Sequence, residues 1–117
     1  MLRFVYYCQT DRTYNGWTNY ETWCVNLWIG NEQSSHEFWR EQAAKCRDNA
    51  KQAEQVAANI WTIEEAAKFS LADQLKDHFE QDNPLEDSAT IWADLMNAAL
   101  SEVNWTEIAE SLLEINN

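Results

Sequence analysis

Residues 14–30 read YNGWTNYETWCVNLWIG, and this stretch decides the fold of the chain. It contains three of the seven tryptophans and both glycines. Thr18 followed by Glu21 is the pattern of a capping box at a helix start. The apolar residues that recur at helical spacing after it are Tyr20, Trp23, Cys24, Leu27 and Trp28. We therefore predict a helix over residues 19–29 that ends at Gly30, because glycine readily adopts the positive φ of a helix end.

Four similar capping patterns lie farther along the chain. In each, a serine, threonine or asparagine comes three residues before a glutamate: Ser34–Glu37, Thr62–Glu65, Asn83–Glu86 and Asn104–Glu107. The composition agrees with helices, because one proline and two glycines are too few for a fold rich in turns and strands. We predict an all-α protein, built as an irregular antiparallel bundle of four to five helices.

The helix that follows Ser34 has a narrow face of mostly small residues. This face consists of Trp39, Ala43, Cys46, Ala50, Ala53 and Ala57. We expect a neighbouring helix to pack closely between Trp39 and Trp61, because small side chains allow helix axes to approach. The next helix should end before Pro84, and the fourth should begin at residues 83–86. Apolar residues at helical spacing in the last two helices are Ile91, Trp92, Leu95, Met96, Ala99, Val103, Ile108, Leu112 and Ile115.

Residues 1–13 stand apart from this helical pattern. Residues 2–7 are compatible with a short strand, but the sequence offers no other convincing strand to pair with it. A flexible arm, a strand that pairs across a dimer and a segment packed on the helices remain open, and we favour the arm. We therefore divide the chain into an N-terminal arm, residues 1–13, and a single helical domain, residues 14–117, and we leave a homodimer open.

Hydropathy and cysteine usage exclude several classes of protein. The mean hydropathy is -0.61, and no apolar run approaches the roughly 20 residues of a membrane span. Residues 1–8 are too few for a signal peptide, so we predict a cytoplasmic protein that does not contact a membrane. Three cysteines without paired spacing argue against a disulfide framework. His36 and His78 stand apart from other ligand types, so we predict no metal and no cofactor.

The sequence does not predict an enzyme. It lacks the glycine-flanked serine of hydrolases, a phosphate-binding glycine loop and the His-Glu-x-x-His pattern of zinc peptidases. Glu64-Glu65 and Glu86-Asp87 are adjacent acids, but both pairs lie at predicted helix starts, where the helix dipole already favours negative charge. We therefore assign no catalytic residue.

The net charge of -12 is distributed unevenly. Residues 1–76 carry 10 acids and 8 bases, whereas residues 77–117 carry 10 acids and neither lysine nor arginine. Such a surface repels nucleic acid and anionic membranes, and it attracts basic protein surfaces. We therefore predict a basic protein partner and no direct nucleic-acid binding. The candidate partner-binding residues are Asp77, Glu80, Asp82, Glu86, Asp87, Asp94, Glu102, Glu107, Glu110, Glu114 and Trp17.

Three of these acids form a regular row. Glu107, Glu110 and Glu114 are spaced by three and four residues, which corresponds to about 4.5 to 6 Å along one face of a helix. Phosphates along one DNA strand advance by about 3.4 Å, so this row would imitate phosphates for a DNA-binding protein. The alternative is that the acids only keep a helical surface soluble.

The tryptophans divide into two groups. Trp23 and Trp28 are predicted to be core or half-buried, because a small bundle needs large side chains to exclude water. Asn15-Gly16 predicts a turn that places Trp17 beside the first helix. Tryptophan is enriched at protein interfaces, and the candidates for such contacts are Trp17, Trp92 and Trp105.

The stretch that decides the fold also resembles a known family. Its residues 19–23 and 25–28 match Asn-Tyr-Glu-Thr-Trp followed by Val-x-Leu-Trp, the signature of a small family of uncharacterised proteins carried by phages and plasmids. The resemblance covers about one seventh of the chain. It implies a mobile-element origin and action in the cytoplasm of a bacterial host, but no established activity.

Two functions follow from these observations. Small acidic proteins of mobile elements include anti-restriction and other host-defence inhibitors that mimic DNA, so the resemblance implies by association an inhibitor of a host DNA-binding or defence protein. The alternative is a structural or assembly module that associates through exposed aromatic residues around Trp17 and involves no mimicry.

Overall fold

The computed structural model describes residues 12–115, and these residues form six helices and no strand. The helices are α1 Tyr20–Asn31, α2 Gln33–Ala50, α3 Glu54–Ala57, α4 Ile63–Gln81, α5 Ile91–Ser101 and α6 Trp105–Ile115. The prediction of an all-α fold is confirmed, and α3 is a single turn in addition to five longer helices. None of the six is long and apolar enough to cross a membrane. The strand proposed for residues 2–7, and most of the proposed arm, lie outside the described residues.

The core lies between α2, α4 and α6, each of which packs against the other two, and α1 lies against α2 and α6. Helix α2 buries Trp39, Ala43, Cys46 and Ala50, so the predicted packed face is confirmed as far as Ala50. Large core residues of α4 and α6 include Leu71, Leu75, Ile108 and Leu112, all at 2% exposure or less. Burying a side chain of this size contributes about 1.5–3 kcal/mol. The contact among these three helices is therefore the main source of stability.

A tight turn leads into α1. Asn15 and Gly16 have positive φ angles of 46° and 87°. Across them, Tyr14 and Trp17 exchange two backbone hydrogen bonds, with N···O distances of 2.9 and 2.8 Å. Asparagine followed by glycine suits this geometry, because both residues tolerate positive φ. The predicted turn is confirmed.

The residue that caps α1 differs from the prediction. The cap is Asn19 and not Thr18, because the Asn19 Oδ1 atom accepts a hydrogen bond from the Thr22 backbone N–H at 2.9 Å. The backbone N–H of Thr18 donates instead to Glu107 Oε1 at 3.0 Å. Thr18, which the sequence predicts as the cap, therefore contacts α6 instead.

The junction between α1 and α2 is also shorter than predicted. Gly30 does not end α1, which continues until Glu32 takes an extended conformation (φ -106°, ψ 123°). Helix α2 therefore begins at Gln33, and the Ser34 hydroxyl donates to Glu32 Oε1 at 3.0 Å. The predicted Ser34–Glu37 capping box is wrong, because Ser34 lies within the first turn and not before it.

Helix α2 ends at Ala50, earlier than the sequence predicts. A turn, the short α3 and Asn59 with a positive φ of 61° follow. This path brings Trp61 against the core, where it is partly buried. Of the small residues predicted to extend the packed face, Ala53 is therefore only half-buried and Ala57 is exposed.

Two of the later capping predictions are confirmed. At the start of α4, the Thr62 side chain accepts from the Glu65 N–H at 3.1 Å, and the Glu65 side chain accepts from the Thr62 N–H at 3.0 Å. At the start of α6, Asn104 Oδ1 accepts from the Glu107 N–H at 3.1 Å. In both cases the capping residue and its partner are three positions apart in the chain, so the bond does not depend on another helix.

The helix start predicted at residues 83–86 is wrong. Asn83 Oδ1 accepts from the backbone N–H of Leu85 at 2.9 Å, which closes a turn over two residues and not a helix cap over three. Helix α5 begins later, at Ile91, where Thr90 Oγ1 accepts from the Ala93 N–H at 3.2 Å. Glu86 and Asp87 therefore lie in a turn between α4 and α5 and not in a helix.

Candidate functional site

Exposed acidic side chains are spread over the last third of the chain. Of the ten aspartate and glutamate residues between positions 77 and 114, nine are exposed and Glu107 is half-buried. Neither α5 nor α6 contains a lysine or arginine. The exposed members are Asp77, Glu80, Asp82, Glu86, Asp87, Asp94, Glu102, Glu110 and Glu114. These positions give the described part of this region a strongly negative surface.

The row predicted on α6 does not present three similar carboxylates. Glu107 Oε1 accepts a hydrogen bond from the Thr18 backbone N–H, and Glu110 pairs with Lys68 at 3.6 Å. Glu114, one turn farther on, is exposed. Two of the three carboxylates of this row therefore also serve contacts within the chain, while Glu110 and Glu114 are exposed.

Lys68 lies in a cleft of about 200 Å³ that is lined by four glutamates. Three of these glutamates already have partners, because Glu110 pairs with Lys68, Glu65 belongs to the cap of α4, and both Glu64 oxygens accept from Arg47 at 3.1 Å. Among residues 12–115 no group of three His, Cys, Asp or Glu side chains is arranged to hold a metal ion. Of these contacts, the Glu110–Lys68 pair joins α6 to α4, and the Glu64–Arg47 pair joins α4 to α2.

Helix α5 carries large apolar side chains on its outer side. Ile91, Trp92 and Leu95 are 66%, 64% and 55% exposed. Ile91 and Leu95 are four residues apart, and Trp92 comes three residues before Leu95, so the three share one side of the helix. Ala93, about 200° around the helix from Ile91, is the one buried residue of α5.

Carboxylates flank this apolar side. Asp94 is exposed on α5 itself, and Glu86 and Asp87 are exposed in the turn before it. Glu80 and Glu86 also line a cleft of about 330 Å³ together with Asn97 of α5. An apolar face is thus bordered by negative charge along the helix and at its start. We refer to the following six residues as the α5 surface: Glu86, Asp87, Ile91, Trp92, Asp94 and Leu95.

The tryptophans predicted as interface candidates have different environments. Trp92 is exposed, whereas Trp17 and Trp105 are partly buried against the core. The Trp105 ring stacks on Phe79 with a centroid distance of 5.6 Å and an interplanar angle of 20°. Trp17 is therefore half-buried, whereas the aromatic residues on either side of it in the chain, Tyr14 and Tyr20, are 40% and 51% exposed.

The prediction for Trp28 is wrong. It is 67% exposed, because α1 buries Thr22 and Ile29 on another side of the helix. An outward-facing Thr22, which is the sequence interpretation of this residue, is wrong as well: Thr22 is fully buried, and its Oγ1 atom donates to Asn19 Oδ1 at 2.6 Å and accepts from the Asn104 N–H at 2.9 Å. The sequence signal for this contact is Asn19 three positions before Thr22, a spacing at which an asparagine side chain can cap a helix.

A second cleft, of about 370 Å³, contains Cys46 and Ser70, whose Sγ and Oγ atoms are 3.7 Å apart. Burial raises the pKa of the Cys46 thiol, and the hydrogen bond to Ser70 lowers it by less. A raised thiol pKa reduces the thiolate fraction at neutral pH and makes a nucleophile weaker. Cys46 therefore behaves as a small core residue.

Comparison with known proteins gives one match. A family model, described as a family of unknown function (DUF7249), matches residues 10–116. No curated protein and no solved structure matches the chain. The match extends well beyond residues 14–30 and includes all six helices.

Proposed function

We propose that this chain, which belongs to DUF7249, is a protein-binding module that recognises a basic surface of its partner through the acidic residues 77–114. The observation that carries the proposal is the exposure of nine of these ten carboxylates in a region without lysine or arginine. Such a field attracts a basic partner and accelerates its encounter with the chain. No reaction is part of this proposal.

The partner is proposed to be a DNA-binding or defence protein of a bacterial host, and the chain a phage- or plasmid-borne inhibitor that acts in the host cytoplasm. The resemblance of residues 19–28 to proteins of mobile elements supports this origin. Mimicry of DNA would rest on the carboxylates from Asp77 to Glu102, because Glu107 and Glu110 are engaged within the chain. A DNA-binding face would then meet negative charge of the kind it normally finds on phosphates.

Affinity capture from bacterial lysate tests this proposal. At about 0.1 M salt we expect basic DNA-binding proteins to be retained, and we expect about 1 M salt or an excess of short duplex DNA to release them, because the Debye length falls from about 10 Å to about 3 Å. A variant with Glu86→Lys, Asp87→Lys and Asp94→Lys should lose them.

The matched control reverses three exposed acids outside this region, Glu37→Lys, Glu54→Lys and Asp73→Lys, which changes the net charge equally. If the control variant loses the same proteins, binding depends on the total charge of the chain and not on the acidic residues 77–114. Retention of the same proteins by the first variant at about 1 M salt would contradict the proposal.

A second function, self-assembly through exposed aromatic residues, is favoured by Trp28, which is 67% exposed on α1. Large exposed aromatics often mark interfaces between proteins. Sedimentation velocity of the wild type and of Trp28→Ala over a range of concentrations tests it. A wild-type monomer at every concentration would remove this alternative.

A further inference from the structure

We propose that the α5 surface is the anchor of the partner interface, and that it receives an amphipathic segment with apolar residues along its centre and lysine or arginine on its flanks. This inference rests on the function proposed above and names the part of the acidic region that gives affinity and specificity. Charge alone would bring the partner to the chain, whereas the α5 surface would hold it.

The first reason is the composition of α5. Its sequence IWADLMNAALS contains one charged residue, and its polar residues Asp94, Asn97 and Ser101 share one narrow stripe, so apolar residues cover about 220° of the helix. An ordinary surface helix has an apolar stripe of about 100° that faces the core, so a stripe this wide normally meets more than one neighbour. Among the residues of α5, only Ala93 is buried, and none belongs to the main core cluster. The outer side is thus apolar without a partner among residues 12–115.

The second reason is the kind of residue exposed. Trp92 is flanked by Ile91 and by Leu95, and all three are more than half exposed. Tryptophan is the residue most enriched at interface positions that dominate binding energy, particularly where surrounding residues exclude water. Trp92 at the centre and aliphatic residues beside it form an anchor of this type.

The third reason is charge complementarity, which selects the occupant. The apolar side is bordered by Glu86, Asp87 and Asp94, and the region from 77 to 117 has no lysine or arginine to balance them. A second copy of the chain would bring the same negative border and a net charge of -12, so repulsion opposes it. Basic flanks on the partner would neutralise this border, and an apolar centre would cover Trp92.

The test uses synthetic peptides as probes. One is a helical peptide of leucine and lysine with a leucine stripe and lysine flanks, and the second replaces every lysine by glutamate. The third is an oligolysine of equal charge to the first. Each peptide carries a fluorophore, so that binding is measured by anisotropy without interference from the seven tryptophans of the chain.

We expect the leucine–lysine peptide to bind the wild type more tightly than oligolysine does, and the leucine–glutamate peptide not to bind. Trp92→Ala should weaken binding of the leucine–lysine peptide by about tenfold or more and leave oligolysine binding unchanged. Trp28→Ala is the matched control, because Trp28 and Trp92 are 67% and 64% exposed, and it should bind like the wild type. Both substitutions remove exposed side chains, so the fold should be retained.

The outcomes separate this inference from the proposed function. If neither basic peptide binds at low salt, the attraction of basic partners fails, and the anchor with it. If both bind but Trp92→Ala has no effect, or Trp28→Ala weakens binding as much, only the assignment to the α5 surface is overturned. A dimer of the wild type that Trp92→Ala dissolves would identify a second copy as the occupant and would also overturn it.

Discussion

Helices α5 and α6 have the same length of 11 residues and are neighbours in the chain, yet only α6 is part of the core. Helix α6 buries Ile108, Ala109, Leu112 and Leu113. These four residues are spaced by one, three and one positions, so they form a single stripe that faces one side. Helix α5 has no such stripe, because its apolar residues occupy both its inner and its outer side.

The two helices also differ in how they are tied to the rest of the fold. At the start of α6, the backbone N–H of Asn104 donates to Thr22 Oγ1 of α1, and near its end Arg47 of α2 donates to the Leu113 carbonyl at 3.0 Å. Helix α5 is tied by exposed bonds instead: Asn83 donates to Asn97 Oδ1 at 3.3 Å, and Asn19 donates to the carbonyl of Glu102, the C-cap of α5, at 2.6 Å. The comparison teaches that an apolar composition does not by itself bury a helix; a one-sided apolar pattern and part-buried bonds at its ends do.

The largest expected difference is in the response to Leu→Ala substitution. Leu112→Ala in α6 should lower the free energy of unfolding by about 2–5 kcal/mol, because it leaves a cavity at a site that is 2% exposed. Leu95→Ala in α5, at 55% exposure, should change it by less than about 0.5 kcal/mol. Urea unfolding of both variants measures the difference. Equal losses would mean that α5 packs on the core after all.

A smaller effect is expected from the bond between α1 and α6. Thr22→Val removes the acceptor of the Asn104 N–H and should cost about 1–3 kcal/mol, because this part-buried donor then has no partner. Thr22→Ser keeps the oxygen and should recover most of the loss. Asn97→Ala, which removes an exposed bond of α5, should cost less than about 0.5 kcal/mol in the same urea experiment. A Thr22→Ser variant as unstable as Thr22→Val would show that the methyl packing matters and not the hydrogen bond.

The sequence predicts those features of the fold that depend on neighbouring residues. The cap at Thr62 is an example, because it joins residues three positions apart. The cap of α1 is Asn19 and not the predicted Thr18, whose backbone N–H donates to Glu107, 89 residues away. No local pattern contains that contact.

The same limit applies to the candidate site. The sequence proposes Trp92 as a residue for protein contacts, and it is exposed; the acidic character of the region follows from its composition. The engagement of Glu110 could not be predicted, because it depends on Lys68 of another helix. The exposure of Trp28 depends in the same way on which side of α1 meets α2 and α6.

The bond at the carboxyl end of α6 should have a moderate effect. Arg47→Met removes the donor to the Leu113 carbonyl and the paired bonds to Glu64, and we expect a loss of about 1 kcal/mol, reduced because Glu64 is largely exposed to solvent. Lys45→Met is the control, since its pair with Glu41 is exposed on both sides and should contribute less than about 0.5 kcal/mol. Thermal or urea unfolding of the two variants measures both losses. If Lys45→Met costs as much, the stabilisation comes from charge and not from holding α6.

The smallest expected effect concerns the caps of the two helices, whose chemistry is similar. Asn104→Ala should lower the global stability by about 1 kcal/mol, because α6 unfolds only with the core. Thr90→Ala removes the same kind of bond from α5, but α5 can open while the core persists, so the global midpoint should barely move. The loss should appear instead as hydrogen exchange in α5 that is about two- to fivefold faster, with exchange in α6 unchanged. If Thr90→Ala accelerates exchange equally in both helices, α5 and α6 unfold together, and the distinction between an integrated helix and an exposed one does not hold.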